Sequence, residues 1–355
     1  MSLFMEGVIS EGGAVTVWAL PRGKWSTQRF ESPQTTIDAG IFSLRIRGSH
    51  RPLISVIFCF HWIMLPVAVV VGMLRRVPVI YDEHDHYEIN TLEGGGSRFK
   101  KWMNQQLVRW VHRTMLPFVS MVTCIHLANE QLKKHLQQWQ ANVVELHNFP
   151  VRAWKDVPQN FSSSGKLCFV YMGGIFAEKG VGQAAIAFQK LPDHIRDSCE
   201  LHIFGDGDRD LLTRLHDMPN IILHNNQSPE QLRKFASQHR CCGLVLYNEH
   251  PRYRLIGTNS RKLYEYLALG MPVIATSVGE LPRLLLEHNI GILIHARIEI
   301  QELTAAMYQI ADEPGSWNSF SQHARDLMNR PEMTWEHEWD KVLRSGFLDP
   351  LRKAA

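Results

Sequence analysis

Short apolar runs and amphipathic stretches alternate along the first 150 residues. Runs rich in β-branched residues predict buried strands, and apolar residues at three- and four-residue spacing predict helices. The predicted strands lie at 15–20, 53–58, 77–82, 120–125 and 143–146, and the predicted helices at 62–74, 97–115 and 127–139. Regular alternation of this kind predicts a doubly wound parallel sheet with helices on both faces.

A second alternating set follows a polar segment at 158–165 whose composition predicts a linker. Its predicted strands lie at 167–172, 200–205, 221–224, 243–247, 272–276 and 292–294. A chain of 355 residues is long enough for two domains. We therefore predict an α/β protein with Rossmann-like domains over 1–150 and 151–330 and a closing helical segment over 331–355.

The segment 53–74 also raises the question of a membrane span. It runs for 22 residues without a charged side chain, which is long enough to cross a bilayer. His61 and Pro66 lie near its middle, however, and its pattern changes from strand-like to helix-like. A strand followed by a helix explains this pattern better than a transmembrane helix does.

Composition narrows the class of protein without identifying it. The net charge of +3 is mild, so it does not indicate nucleic-acid binding. Six cysteines occur without CxxC spacing, and we interpret them as reduced residues of two hydrophobic cores. The first residues lack the pattern of a signal peptide. These features together favour a cytoplasmic protein.

The stretch 259–286 combines a helix, a glycine turn and a strand. Lys262 and Glu265 lie three residues apart, so they share one helix face just before the strand. Gly270 stands where the helix must stop, a position that favours a residue tolerant of left-handed backbone. Pro272 then opens the apolar run that predicts the strand.

The sequence KLYEYLALGMPVIAT within this stretch resembles the donor-binding segment of family-4 retaining glycosyltransferases, which have the GT-B fold. The resemblance implies two Rossmann-like domains that face each other across a cleft. It assigns Glu265 to the nucleotide ribose and Lys262 to the donor site. The family pattern has a second Glu eight positions before the first, and Gly257 occupies that position here.

A glycine turn after the predicted strand 167–172 is a second candidate site. Gly173 and Gly174 end the strand, and Lys179 lies just before a predicted helix. Free backbone amides, a helix N-terminus and a lysine suit an anion. The turn resembles the family's phosphate-binding segment, in which Lys179 matches a Lys and Gly174 replaces an Arg. The alternative is an ordinary turn with an exposed lysine.

The next strand and turn, 201–208, also resemble the family and add Gly205 to the donor side. Asp210 stands at the third glycine position of a dinucleotide motif, where a carboxylate would repel pyrophosphate. We therefore expect no bound cofactor, and the resemblance implies that catalysis needs no metal ion. The predicted donor-binding set is Gly173, Gly174, Lys179, Gly205, Thr258, Asn259, Ser260, Lys262 and Glu265.

A polar cluster at the carboxyl end of the predicted strand 77–82 resembles the family's acceptor-side segment. Asp82, His84 and Asp85 occupy the matching positions, and the resemblance places His84 beside the transferred sugar. With Lys179 and Glu265, His84 completes the predicted catalytic set. Two alternatives stay open, a metal site that includes His84 and His86 and a solvated polar loop.

The predicted helix at 98–113 is basic and amphipathic. Its apolar stripe consists of Phe99, Trp102, Met103, Leu107, Trp110 and Val111, and its basic residues include Arg98, Lys101, Arg109 and Arg113. Such a helix suits an anionic membrane surface. The alternative is that the stripe packs against the sheet and the charges face water.

The resemblance implies an enzyme that moves a sugar from a nucleotide-sugar donor to a glycan or lipid-linked acceptor, in polysaccharide or glycoconjugate synthesis. Family members have a strand and a glycine-rich loop before the point that 15–20 matches, and we expect this chain to lack them. Two alternatives remain, a non-catalytic nucleotide-sugar-binding subunit and a sugar-nucleotide epimerase.

Overall fold

The structure, a computed structural model, describes residues 56–89, 97–158, 165–224 and 228–346. Before residue 56 it describes the backbone of three short paired strands: β1 (Trp18–Ala19), β2 (Ile37–Gly40) and β3 (Ser43–Leu44). Most of the predicted strand 15–20 lies outside the described residues. So do the polar part of the predicted linker and the predicted lack of a first strand and glycine-rich loop.

The first domain is built on a four-stranded parallel sheet with the order β4-β5-β6-β7. Its strands are β4 (Ile57–Cys59), β5 (Val79–Glu83), β6 (Met121–Ile125) and β7 (Val143–Leu146). Its helices are α1 (Leu65–Arg75), α2 (Arg98–Met115) and α3 (Gln131–Leu136). The apolar run 53–74 thus resolves, where it is described, into a strand, a short 3₁₀ turn and a helix.

The second domain is built on a six-stranded parallel sheet with the order β10-β9-β8-β11-β12-β13. The strands are β8 (Leu167–Met172), β9 (Cys199–Phe204), β10 (Ile221–His224), β11 (Arg240–Val245), β12 (Val273–Thr276) and β13 (Gly291–Ile294). The helices are α4 (Val181–Gln189), α5 (Asp193–Arg196), α6 (Arg209–His216), α7 (Pro229–Gln238), α8 (Arg261–Ala268), α9 (Leu281–His288), α10 (Ile300–Asp312) and α11 (Pro314–Met328). Two parallel sheets covered by helices confirm the predicted fold class.

Each face of the second sheet has its own hydrophobic core, because successive strand residues point to opposite faces. Cys168 and Val170 belong to one core, and Phe169 and Tyr171 belong to the other. Both faces are therefore buried, which explains why β8 reads as a continuous apolar run rather than as an alternating one.

The final helix, α12 (Trp335–Leu343), packs on the sheet of the first domain. Trp335 and Trp339 share a core cluster with Ile80 and Leu146. Glu338, which is buried, accepts the backbone N–H of His147 at 3.0 Å. The chain thus returns to its first domain after completing the second.

The two domains also meet through the segment just before α8. Leu127 and Ile256 form an antiparallel bridge, and Asn148 donates its side-chain amide to the carbonyl of Asn259 at 3.2 Å. Beside them, His126 lies 3.1 Å from Glu145 of its own domain and 3.0 Å from Glu280 of the other. The residues that precede α8 therefore contact the first domain directly.

Candidate functional site

A cavity of about 730 Å³ opens at the carboxyl ends of the second sheet's strands. Ligands of parallel α/β sheets bind at this edge, since the loops that follow the strands meet there. The cavity is lined by eight of the nine predicted donor-binding residues: Gly173, Gly174, Lys179, Gly205, Asn259, Ser260, Lys262 and Glu265. Segments that lie almost a hundred residues apart in sequence thus share one hollow, and the roles assigned to these residues remain predictions.

Two lysines converge on a cage of tyrosine rings in this cavity. The Lys262 ammonium lies 4.6 Å from the ring centre of Tyr171 and 4.5 Å from that of Tyr247. The Lys179 ammonium lies 5.1 Å from the Tyr247 ring centre and 4.8 Å from that of Tyr253. Aromatic faces attract cations, so the rings hold two positive charges close together.

Burial and the nearby Lys179 affect the charge state of Lys262. Burial, and then the neighbouring Lys179 charge, lower the pKa of Lys262 to about 7. A bound anion between the two ammonium groups would relieve both effects. The pair is therefore suited to a ligand with concentrated negative charge, such as a diphosphate.

The turn that contains Gly173 packs closely against the turn that contains Gly205, after the neighbouring strand β9. Gly173 has a φ of +127°, and Gly205 has a φ of +151°. A Cβ atom on Gly205 would lie 2.0 Å from the Gly173 carbonyl oxygen, so no other residue fits there. Tyr171 donates its hydroxyl to the Gly174 carbonyl at 2.8 Å, which fixes the turn beside Lys262.

Gly174, which stands where the family has an Arg, is covered by a neighbour. A Cβ atom at Gly174 would lie 2.6 Å from the ring of Phe176. The Phe176 ring is half-exposed, so a side chain at position 174 would require it to rotate away. The second positive charge of this cavity comes from Lys262 on α8 instead.

Glu265 lines the same cavity from α8 and is already paired. Its carboxylate accepts a hydrogen bond from the Arg261 side chain at 2.6 Å. Burial raises the pKa of Glu265, and the Arg261 charge and hydrogen bond oppose that rise. Because Arg261 is engaged here, Lys262 is the better candidate for the charge that Gly174 lacks.

The N-terminus of α8 faces the same cavity. Asn259 and Ser260 line it directly, and the buried Ser260 hydroxyl lies 3.0 Å from the hydroxyl of Tyr247. Thr258 does not line the cavity, since its hydroxyl lies 2.5 Å from Nδ1 of His147 in the first domain. Thr258 thus contacts the domain junction, whereas the two residues after it reach the pocket.

Gly257 is enclosed by the first domain. A Cβ atom there would lie 2.6 Å from Cδ2 of His126 and 3.1 Å from the backbone nitrogen of Ala128. The sequence therefore lacks the family's second Glu, and close packing between the domains fills the space that its side chain would need.

The predicted acceptor-side residues lie in the first domain and do not line this cavity. Asp82 is buried and accepts the Thr123 hydroxyl at 2.7 Å, and burial raises its pKa. The half-exposed His84 lies 3.8 Å from Asp82 and 3.0 Å from the Tyr87 hydroxyl. Asp85 is partly exposed. Among the described residues, His84 and His86 belong to no group of three that could share a metal ion.

The tyrosine cage is the part of the site that the sequence analysis missed. Tyr171, Tyr247 and Tyr253 come from three segments, and only Tyr171 lies beside a recognised motif. One signal was available for Tyr247, which follows a buried strand at the carboxyl edge where functional groups collect.

Comparison with known proteins gives a family match for the second domain. Residues 153–327 match the family profile described as Glycosyl transferases group 1. No curated protein matches the chain. Among solved structures, HepE of Anabaena in complex with UDP and glucose is 14% identical, with a TM-score of 0.60 over 82% of this chain and 77% of its own.

Two further structures have the same architecture. WaaG, a glycosyltransferase involved in lipopolysaccharide biosynthesis, is 15% identical, with a TM-score of 0.57 over 77% of this chain and 80% of its own. Sucrose-phosphate synthase from Thermosynechococcus elongatus is 15% identical, with a TM-score of 0.55 over 85% of this chain and 74% of its own. The fold is therefore that of the GT-B glycosyltransferases, and residues 153–327 match the Glycosyl transferases group 1 profile.

Proposed function

We propose that the protein is a retaining glycosyltransferase of the family-4 type, which moves a sugar from a nucleotide-sugar donor to a glycan or lipid-linked acceptor. One feature carries the proposal: Lys179, Lys262, the N-terminus of α8 and the Glu265 carboxylate converge on a single cavity. Cations and helix amides suit a diphosphate, and a carboxylate suits ribose hydroxyls. HepE has been solved with UDP-glucose, which makes uridine nucleotides the first donors to test.

The difficult step is the departure of the nucleoside diphosphate, which takes the electron pair of its bond to the sugar C1. Lys179, Lys262 and the amides near Ser260 would stabilise the charge that develops on the leaving phosphate. With retention, the acceptor oxygen bonds to C1 from the face that the phosphate leaves. The acceptor proton passes to a phosphate oxygen, so no protein nucleophile is required.

His84 would act on the acceptor side of the cleft. Its imidazole is half-exposed and its neighbours Asp82 and Tyr87 limit its orientation, so it can direct a hydroxyl toward the sugar. Closure of the first domain over the cavity would bring this group to the donor and exclude water, which would limit hydrolysis.

A nucleotide-sugar-binding subunit without catalysis is the second candidate, and the packing around Gly257 favours it. Close contact with His126 leaves no room for the acidic side chain that family members have at this position. Such a protein would bind the donor through Lys179 and Glu265 but would not release nucleoside diphosphate.

Turnover with a panel of nucleotide sugars separates the two candidates. We expect wild-type protein to release nucleoside diphosphate and Glu265→Ala to reduce that release at least about tenfold, since a lost charge-assisted hydrogen bond is worth roughly 1.5–3 kcal/mol. Glu287→Ala, an exposed change on α9, is the matched control and should keep wild-type release. Donor binding without any release would favour the subunit.

The proposed enzyme would work at a membrane surface through an exposed apolar face. On α2, Phe99, Trp102, Leu107 and Trp110 are exposed, and of the predicted stripe only Val111 is buried. The alternative, in which this stripe packs against the sheet, does not fit this exposure. Among the described helices, none is long and apolar enough to cross a membrane.

The neighbouring helix α1 extends this apolar surface, since α1 and α2 pack against each other. Its exposed residues are Val67, Val70, Met73 and Leu74, and with the exposed residues of α2 they form what we call the α1–α2 face. The exposed basic residues Arg75, Arg76, Arg98, Lys100 and Arg113 belong to the same two helices or follow them directly. An apolar surface with cations at its margin matches an anionic lipid layer, which also suits a lipid-linked acceptor.

A further inference from the structure

A cluster of metal-binding residue types lies on one face of the second sheet. One ligand atom from each of Cys168, Glu200 and His202 lies within 4.8 Å of the others. Cys168 is on β8, and the other two residues are on β9, where Glu200 is the register partner of Cys168. Among the described residues, this is the group of three that could hold an ion.

We propose that Cys168, Glu200 and His202 bind a zinc ion that supports the structure of the second domain. Thiolate, imidazole and carboxylate are the three ligand types that zinc takes in proteins. The distances also fit. His202 Nε2 and Glu200 Oε2 are 3.1 Å apart, and two such atoms on one tetrahedral zinc ion lie about 3.3 Å apart.

The neighbours of these side chains suit a bound metal. His202 Nδ1 lies 2.9 Å from Nε2 of His224, so a histidine that binds zinc through Nε2 has an acceptor for its other N–H. Lys166 holds the second oxygen of Glu200 at 3.1 Å. Such outer contacts orient metal ligands and are typical of zinc sites.

Cys241 lies next to the site. It is the register partner of Cys168 on β11, and its thiol donates to the His239 carbonyl at 3.4 Å. It does not belong to the group of three. Glu200 is partly exposed, so water can complete the tetrahedral site.

The site lies behind the donor cavity rather than in it. None of its three ligands lines the cavity, whereas Phe204, two residues after His202, does. The Phe204 ring stacks on His224 with ring centres 4.1 Å apart. An ion at this position would therefore fix β8, β9 and, through His224, the wall of the cavity that Phe204 forms.

The spacing of the ligands explains why such a site could not be predicted from the sequence. Cys168 and Glu200 are far apart in the chain, and a zinc motif read from sequence requires closely spaced pairs. Our interpretation of all six cysteines as core residues fits their burial but does not distinguish this one. Register pairing of two parallel strands brings the ligands together.

Metal analysis of the purified full-length protein tests the proposal. After reconstitution with zinc under reducing conditions, we expect about one zinc ion per chain for the wild type. Cys168→Ser and His202→Gln should each lower that content at least about tenfold. Cys242→Ser is the matched control, because Cys242 is the next residue on β11 after Cys241 but belongs to the core on the opposite face. It should keep the wild-type zinc content.

Cobalt titration of the wild type keeps the test decisive if a variant fails to fold. We expect thiolate-to-cobalt charge-transfer absorption in wild type and in Cys242→Ser, and a higher melting temperature with zinc than after chelation. Wild-type protein with neither zinc nor cobalt absorption would overturn the proposal, and so would a disulfide between Cys168 and Cys241 in that protein. Zinc retained in full by both Cys168→Ser and His202→Gln would also overturn it.

Discussion

At the scale of single residues, the proposed donor cavity contains two lysines whose ammonium groups lie close to the same ring. The ammonium groups of Lys179 and Lys262 both lie over the Tyr247 ring, and burial and the Lys179 charge lower the pKa of Lys262 to about 7. A diphosphate placed between them would favour the protonated form of Lys262. Ligand binding and protonation at this residue should therefore be coupled.

This coupling predicts proton uptake when a nucleoside diphosphate binds. Near pH 8, above its pKa of about 7, Lys262 is mostly neutral in the free protein, so binding should take up close to one proton. At pH 6 the residue is already charged, and uptake should nearly vanish. Calorimetry in two buffers of different ionisation enthalpy measures this uptake.

Two variants complete that measurement. Lys262→Met should abolish the uptake at pH 8, while Lys234→Met, which changes an exposed lysine of α7, should leave it intact. Equal uptake by wild type and Lys262→Met would show that another group takes the proton.

Some residues of the site could be predicted from the sequence, and others could not. Lys179, Lys262 and Glu265 follow from motifs, since each lies at a fixed distance from a strand or a glycine turn. The tyrosine cage as a whole could not be predicted, because its rings come from β8 and from the segment after β11, which meet only at the edge of the folded sheet. The enclosure of Gly257 likewise depends on the domain arrangement and not on local sequence.

At the scale of secondary-structure elements, apolar runs located β7, β8 and β10 to the residue. Capping and local backbone made other boundaries harder to predict. The predicted helix 127–139 is a 3₁₀ turn (Ala128–Glu130) followed by the short helix α3, because Asn129 and Glu130 have left-handed backbone that interrupts a continuous helix. β11 begins at Arg240 rather than at the predicted residue 243. A charged residue is tolerated at the start of this strand because the Arg240 guanidinium lies over the Trp317 ring.

The segment before α8 predicts a specific response to substitution. Gly257→Ala should destabilise the protein by about 1–3 kcal/mol, because the added methyl group overlaps His126 and the Ala128 backbone. Gly315→Ala on α11 is the control. Nothing lies within 4 Å of the added atom there, and alanine favours helix by about 1 kcal/mol. Thermal unfolding measures both, and a Gly257→Ala variant as stable as wild type would contradict the packing described here.

The α1–α2 face predicts salt-sensitive binding to anionic vesicles. Wild-type protein should sediment with vesicles that contain anionic lipid and much less with neutral ones, because each nearby cation contributes about 1 kcal/mol. The double change Trp102→Glu and Trp110→Glu removes two exposed rings and adds two negative charges, so it should abolish this binding. Leu286→Glu, at an exposed apolar residue of α9, should bind as wild type does. Equal binding by all three proteins would show that the α1–α2 face does not bind the membrane.

At the scale of the whole molecule, one histidine sits between the two domains. Burial would lower the pKa of His126, but its close contacts with the carboxylates of Glu145 and Glu280 outweigh burial and raise it. A raised pKa in the folded state means that the ion pair stabilises the protein below about pH 6.5, the ordinary value for histidine. That stabilisation is lost as the pH rises through the folded-state pKa.

The contact between the domains should therefore depend on pH. His126→Gln should lower the melting temperature more at pH 6 than at pH 9, because only the protonated ring pairs with both carboxylates. The matched control is His295→Gln, an exposed histidine paired with Glu302, which should change the melting temperature little at either pH. A pH-independent effect of His126→Gln would mean that the ring acts by packing alone.

The central claim is that one cavity holds the diphosphate against Lys179 and the ribose against Glu265. Equilibrium binding of a nucleoside diphosphate and of the matching nucleoside tests it most directly. Lys179→Ala should weaken diphosphate binding at least about tenfold, roughly 1.4 kcal/mol, and leave nucleoside binding unchanged, while Glu265→Ala should weaken both. Wild-type affinities in both variants, or no binding of any nucleoside diphosphate by the wild type, would contradict the claim.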